Sequence, residues 1–514
     1  MSGLWVLLQL AFGFAVVLAP GALLARTVGV RGVSSTLAWS LALVFAALAV
    51  TFAVGASLDL TLALVLLAGL VALGVSLRRR GWDVPVPRRG PMLVAGAVLG
   101  LLLWRVAGNV GGDGFFHLAR IQKLLAFGDL SLDSANEFPD GGLHPGYAFP
   151  LWHGFLALVA KVSGTDPAAV VVHGPTVLAP LVVLVAYEAG WALFRRKVPA
   201  AAAVAAGVAA VAMAPGHGGA FTALALPATG SRQLLVPAAL ALALEATRHP
   251  SRTLLASAAA ASLVLAVVHP TYALFLWVPF VGFLVVRFLW ERRDARSGGL
   301  ALTALVVPAA LFFAWLLPMV GDTESVSPDA AERDRAFAQY AGQLDGTPDR
   351  FSVAPELFGR TGAVAVAGLL LLPLAGLAAR RRWSAYVVGG SLAIFAICLV
   401  PRLFTPFADI VSLSQARRLA GYLPLAFALA GGIGVLARVA GRAVVPLALA
   451  AGILLQLAYP GDFGYALQDG GPAWATWVAV AGAIAAFVIG FRGRPPLERR
   501  AALAAVLLLS LIHI

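Results

Sequence analysis

Three residues early in the chain have the types and spacing to do chemistry: Asp113, His117 and Arg120, within Gly111-Gly112-Asp113-Gly114-Phe115-Phe116-His117-Leu118-Ala119-Arg120. Their i, i+4, i+7 spacing puts a carboxylate, an imidazole and a guanidinium on one face of an amphipathic helix that starts at Asp113 and is stopped by Gly128. A carboxylate backed by an imidazole suits a general base, and a guanidinium beside it suits an anionic, phosphate-bearing ligand. The same residues also have a plain structural reading, with Asp113 as N-cap, His117 at headgroup level and Arg120 reaching lipid phosphate. Two features favour chemistry. Gly111-Gly112 frees the backbone for close approach to a ligand, and a long loop follows, carrying His144-Pro145-Gly146-Tyr147 into Trp152-His153.

The elements that must position these groups are membrane helices. The chain has 514 residues, 61% hydrophobic and only 12% charged, against about 25% charged in soluble domains, which excludes a water-soluble globule. Apolar spans fall near 3–25, 33–54, 58–77, 91–107, 169–194, 198–214, 233–247, 253–268, 272–289, 300–320, 362–379, 384–401, 419–437, 443–458, 473–491 and 501–514, about sixteen in all. The expected fold is an all-α polytopic membrane protein. Its parts are N-terminal membrane helices over 1–90, a core over 91–320 that includes an outer loop at 108–168, a second outer loop at 321–361, and C-terminal membrane helices over 362–514. Met1 to Leu24 reads as the first span and not as a removable signal peptide. The final Leu509-Ser510-Leu511-Ile512-His513-Ile514 breaks off inside an apolar run, and a common sequencing-adapter end translates to the same six residues. The natural chain is therefore expected to continue past Leu508. The single cysteine, Cys398, allows neither an intramolecular disulfide nor a Cys-based metal site.

Charge orients the spans. The formal net charge is +13, yet 34 of the 37 basic residues are Arg, clustered between apolar runs, so they read as a topology signal and not as a nucleic-acid surface. Clusters such as Arg78-Arg79-Arg80, Arg195-Arg196-Lys197, Arg292-Arg293, Arg380-Arg381-Arg382 and Arg499-Arg500 put 25 of the 37 on one side, with about 6 acids. That side is expected to be cytoplasmic, and the loops at 108–168 and 321–361 face outward. The alternation survives only if the apolar segment Phe149 to Ala160 does not cross, so an interfacial or re-entrant helix is expected there.

At this point a resemblance emerges. Membrane helices, then Gly-Asp-x-x-x-His-x-x-Arg opening a helix in an outer loop, then a His-Pro turn and an apolar juxtamembrane helix, resemble the GT-C superfamily of integral-membrane glycosyltransferases. Asp113 to Arg120 is similar to the Asp-x-x-x-His-x-x-Arg opening of oligosaccharyltransferase catalytic subunits. His144-Pro145 and the segment to Gly164 are similar to the His-Pro-Pro-Leu region of protein mannosyltransferases and lipid A aminoarabinose transferases. The likeness is distant and covers residues 91 to about 290. It implies a GT-C-like core, Asp113 as the catalytic carboxylate, and a polyprenyl phosphate or pyrophosphate sugar donor. Two departures stand out: four spans precede Asp113 where one is usual, and no Trp-Trp-Asp-type acceptor motif is present, so protein N-glycosylation is not supported.

Other candidates follow from charge placement. Arg417 and Arg418, in Ser412-Leu413-Ser414-Gln415-Ala416-Arg417-Arg418, stand on the outer side against the general bias, as does Arg232 in Gly230-Ser231-Arg232-Gln233. They read either as snorkelling cations or, with Arg120, as a clamp for the donor phosphate. His144, His269 and Tyr272 are candidate acceptor or donor contacts, with interfacial hydrogen bonding and an aromatic belt as the plain alternatives. No His and carboxylate spacing makes a firm metal site. Asp113 with His117 offers at most a weak place for one divalent cation, Mg or Mn. A helical stretch near Ala330 to Gln343 in the second outer loop reads as a solvated cap or as an acceptor-selecting surface.

The expected function is a glycosyltransferase that takes a sugar from a polyprenyl-phosphate donor to a glycan, lipid or protein acceptor, with inversion or retention left open. The expected setting is the outer face of a prokaryotic plasma membrane, in cell-wall or surface-glycan biosynthesis, with membrane lipids and no nucleic acid as partners. The rivals are a transporter or flippase of lipid-linked saccharide and a polysaccharide polymerase or ligase. Glu188 and Glu245 near helix ends do not supply the midplane acids a transporter needs.

Overall fold

The computed structural model describes residues 3–78, 90–135, 143, 146–213, 220–292, 294–321, 326–360, 362–458 and 470–492. Helices form because the apolar runs must satisfy their own backbone hydrogen bonds away from water. In chain order they begin α1 (Gly3–Thr27), α2 (Val33–Val54), α3 (Leu58–Arg78), α4 (Gly90–Val106), α5 (Gly114–Ala126), α6 (Leu151–Ser163) and α7 (Pro167–Phe194). There follow α8 (Lys197–Met213), α9 (Pro227–Gly230), α10 (Val236–Ala246), α11 (Arg252–Val268), α12 (Pro270–Glu291), α13 (Ala295–Gly321) and α14 (Ala330–Gln339). A hairpin of β1 (Leu344–Thr347) and β2 (Arg350–Val353) precedes α15 (Ala363–Leu371), α16 (Arg382–Leu399), α17 (Pro401–Val411), α18 (Leu413–Ala416), α19 (Leu425–Ala440), α20 (Val444–Ala458) and α21 (Ala473–Phe491).

Helix occupies every expected span from 3–25 to 473–491, and the one expected over 501–514 lies outside the described residues. Nine helical segments among the described residues are long and apolar enough to cross a membrane alone. Others, such as α4, α11 and the run Val364–Ala378, are shorter. Large apolar side chains stay exposed along the outsides of these helices, for example Leu67, Leu70 and Val71 on α3, Leu101 on α4 and Leu311 on α13. Such a surface belongs in lipid, and the protein is an all-α polytopic membrane protein.

Backbone packing divides the chain into two compact units. The first comprises 1–189, 221–273 and 299–322. Within it α1 packs on α2, α3 and α6, and α2 also meets α10 and α11. Small residues set the approach. A Cβ on Gly21 would lie 2.2 Å from Ser40 Cα, and the Ser40 hydroxyl donates across the helix pair to the Leu18 carbonyl at 2.9 Å. On α4 the Gly96 and Gly100 backbones press against Pro180 and Thr176 of α7, the four-residue glycine spacing of close membrane packing. Glu188 proves structural: its carboxylate accepts the amides of Val33 and Ser34 at 2.8 and 2.7 Å and the Ser34 hydroxyl, capping the N-terminus of α2.

The helix expected to be interfacial or re-entrant, α6, departs from the first of these alternatives only. Its 13 residues span about 20 Å, too short for a hydrocarbon core of about 30 Å. It is not laid on a surface, however, but buried on every side, with Trp152, Phe155, Leu156, Leu158 and Val159 all at most 2% exposed. The cause is its composition: His153 is the one titratable residue before Lys161, so the helix has no polar face to present to headgroups. Trp152 anchors it by donating to the Ala225 carbonyl at 2.7 Å.

The second unit comprises 190–220, 274–298 and 323–514. Its α12 and α16 meet where Gly282 and Gly389 leave no room for a Cβ. At their ends Arg287 donates to Asp294 at 3.1 Å and to the Arg380 carbonyl at 3.0 Å, while Arg382 also reaches Asp294 at 2.8 Å. Some of the Arg residues that read as topology signals therefore also tie helix ends together. In the loop expected to carry a helix near 330–343, α14 stops at Gln339 and a 3-10 turn runs on to Gln343. The hairpin was not expected. It pairs Leu344 with Val353 around Pro348-Asp349, and Thr405 of α17 bonds both the amide and the carbonyl of Phe351.

Candidate functional site

The turn that starts α5 is built by Gly112, whose φ of 53° is a left-handed conformation that glycine adopts without strain. Among the described residues, a Cβ on Gly111 or Gly112 would meet nothing within 4 Å. Asp113 follows as the N-cap residue, exposed, and its side chain makes no capping hydrogen bond to the helix.

His117 and Arg120 have a different environment from Asp113. They are 5% and 4% exposed and turn into the unit, so the expected single polar face is divided between a surface carboxylate and two buried groups. Asp113 shares the helical backbone, its carbonyl accepting from the His117 amide at 3.3 Å, but it stands at the end of α5, whereas His117 lies further along, where α5 packs on α6. His117 Nδ1 and His153 Nε2 lie 2.9 Å apart, and the rings stack at 5.2 Å. A hydrogen bond between two ring nitrogens holds one proton, so one ring must donate while the other accepts. Tyr147 sets its edge against both imidazoles, at 5.2 and 5.6 Å, and against His269 at 6.4 Å. His269 stacks on Tyr272 at 3.9 Å, and Tyr272 is fully buried. Arg120 donates to the Tyr147 carbonyl at 2.7 Å, and its guanidinium covers the Phe116 ring at 5.2 Å.

The structure thus brings together His117, Arg120, His269 and Tyr272 from the sequence candidates, and adds Tyr147 and His153. The two additions were within the loop already singled out, but they had been given no role. A signal for His153 existed, since it is the sole titratable residue in the first ten of an otherwise apolar helix. His144 lies outside the described residues. Arg232, half-buried, sits in a π-turn from Ser231 to Leu235 that leads into α10.

In the second unit, Arg417 and Arg418 open a 3-10 turn that breaks the helical run between α18 and α19. Arg417 donates to Gln343 Oε1 at 2.7 Å and stacks over the Tyr340 ring at 4.1 Å. The half-buried, aromatic-stacked setting of Arg417 departs from a cation snorkelling to lipid phosphate.

Among the described residues no three His, Cys, Asp or Glu side chains converge to hold a metal ion. Asp113 and His117, the weak pair considered for Mg or Mn, have an exposed and a buried side chain respectively, and His117 Nδ1 is engaged by His153. These residues do not fit a divalent cation.

No curated protein and no solved structure matches the chain. A family model does match, over residues 14–509, and the chain belongs to that family, DUF6541, a family of unknown function.

Proposed function

We propose that this protein is a GT-C-type glycosyltransferase that moves a sugar from a polyprenyl-phosphate donor to a glycan, lipid or protein acceptor at the outer face of a prokaryotic plasma membrane. One observation carries the reading. An exposed carboxylate, Asp113, stands at a glycine turn, one helical turn from a rigid buried block of His117, His153, Tyr147 and Arg120. A general base must reach its substrate yet keep its position, and this arrangement offers both. The Arg and Lys bias, which favours an outward orientation of this loop, supports the location.

In the reaction, Asp113 takes the proton of an acceptor hydroxyl, whose oxygen forms a bond to the anomeric carbon. The bond from that carbon to the phosphate oxygen breaks, and its electron pair leaves with the phosphate. Phosphate needs little acid assistance when guanidinium groups stabilise its charge, so one carboxylate suffices and the sugar inverts. Arg120 and Arg232, in the same unit as Asp113, are the candidate guanidinium partners. Arg120 has a prior duty, because its bond to the Tyr147 carbonyl fixes the loop against α5. The His117–His153 pair holds α5 on α6 and so acts on Asp113 by positioning it.

The test is transfer from a polyprenyl-phosphate-linked sugar by the protein in liposomes. Asp113→Asn is expected to lower kcat by about 100-fold or more with unchanged thermal stability. Full transfer by this variant would overturn the assignment. Movement of the donor across the bilayer with no transfer would favour the flippase reading instead.

A further inference from the structure

In the second unit α17 has two apolar sides, of which protein covers one. Phe404 and Ala408, 0% and 2% exposed, lie on the covered side, where α17 packs on β2 and Thr405 bonds Phe351. Asp409 pairs with Arg333 of α14 at 3.3 Å, and its carbonyl accepts from the Ser327 amide at 2.7 Å. The other side is open. Leu403, Pro406 and Ile410, at i, i+3 and i+7, share it, and Leu403 and Ile410 are 48% and 65% exposed.

Chain connectivity says what covers this open side. A single residue, Val400, joins α17 to α16, and a single residue, Ser412, joins it to the apolar run Leu413–Arg438. Both neighbours are long and apolar enough to cross a membrane, so both ends of α17 are held at the membrane boundary. Its 11 residues reach about 17 Å, too short to cross a hydrocarbon core of about 30 Å. Ser412 takes the corner with φ at 69°, a strained value for a residue with a side chain, and the chain turns sharply there. The open side also continues a lipid-facing one, because Ala396 and Val400 at the end of α16 are exposed and Leu403 follows them. Arg402, exposed beside Leu403, has the reach to meet a phospholipid phosphate.

We propose that α17 lies in the plane of the membrane, with its Leu403–Pro406–Ile410 side immersed at the boundary between lipid headgroups and acyl chains. Its other faces then form a platform. Thr405 and Asp409 fasten the β1–β2 hairpin and α14 to it, which fixes both at one height above the lipid. This role does not depend on the reaction at Asp113.

Spin labels on the full chain in phosphatidylglycerol–phosphatidylethanolamine nanodiscs test it. Leu403→Cys and Ile410→Cys are labelled one at a time in a Cys398→Ala background, with Asp334→Cys on α14 as the aqueous reference and Leu70→Cys on α3 as the lipid reference. Collision with oxygen and with a water-soluble nickel chelate then gives depth. Both labels on α17 are expected to favour oxygen over nickel, at about 5–10 Å below the phosphates. Their depths should agree, because a helix standing along the membrane normal would separate two positions seven residues apart by about 10 Å. Each substitution is at an exposed site, and elution as a single species confirms that each variant folds. Nickel access equal to that of Asp334→Cys would put this side in water. Shielding from both reagents would put it under protein, either a partner or a second copy. Either result, or two depths that differ by a whole helical repeat of that size, would overturn the proposal.

Discussion

Asp113 stands at the start of α5, a helix that a buried histidine pair ties to α6. The His117–His153 bond is buried, and a ring nitrogen left without its partner in such a place costs about 1–3 kcal/mol. His117→Ala and His153→Ala should therefore each lower Tm, and the double variant should lose clearly less than the sum, because the second removal finds the bond already gone. Additive losses in thermal unfolding of the three variants in detergent would show that the pair is not a unit. The pair also marks where sequence reasoning stops. That His117 and Arg120 share one face of α5 was legible from spacing alone, because a helix repeats in sequence. His153 lies 36 residues further on, and only the packing of α6 against α5 makes it a neighbour.

Elements were legible in proportion to their length and apolarity. Spans such as α2 and α7 announce themselves through runs of 22 and 28 residues with no rival conformation in lipid. The hairpin did not, since four-residue strands carry too little alternation to read, and β1 buries only Leu344 of its four residues. The surroundings of α6 were hidden as well, because its lack of a polar face speaks for burial but does not say which helices cover it. What glycine does inside a span became visible only in three dimensions. Gly100 presses on the Thr176 carbonyl at 2.4 Å to an added Cβ, whereas Gly74 on α3 has open space. Gly100→Leu should thus destabilise by about 1–3 kcal/mol or more through overpacking, and Gly74→Leu by much less. Thermal unfolding of the two variants side by side reads this contrast, and equal Tm values would mean that α4 and α7 are not held by close backbone approach.

The sidedness of the whole molecule rests on one short helix. If α6 crossed the membrane, the Arg195-Arg196-Lys197 cluster and every later one would face outward, and 25 of 37 basic residues could not share one side. Its length of 13 residues, about 20 Å, and its burial on all sides argue that it returns without crossing. Cysteine accessibility reads the outcome directly, because the natural Cys398 is fully buried and should not react. Asp133→Cys in the first long loop and Arg196→Cys after α7 both place a thiol at an exposed position on either side of α6 in the chain. In intact cells a membrane-impermeant maleimide should label Asp133→Cys and spare Arg196→Cys, which should react only after permeabilisation. Labelling of both from outside would make α6 a passenger of a different topology and break the charge argument. Labelling of Asp133→Cys only after permeabilisation would put Asp113 on the cytoplasmic side, where a donor presented in the outer leaflet could not reach it.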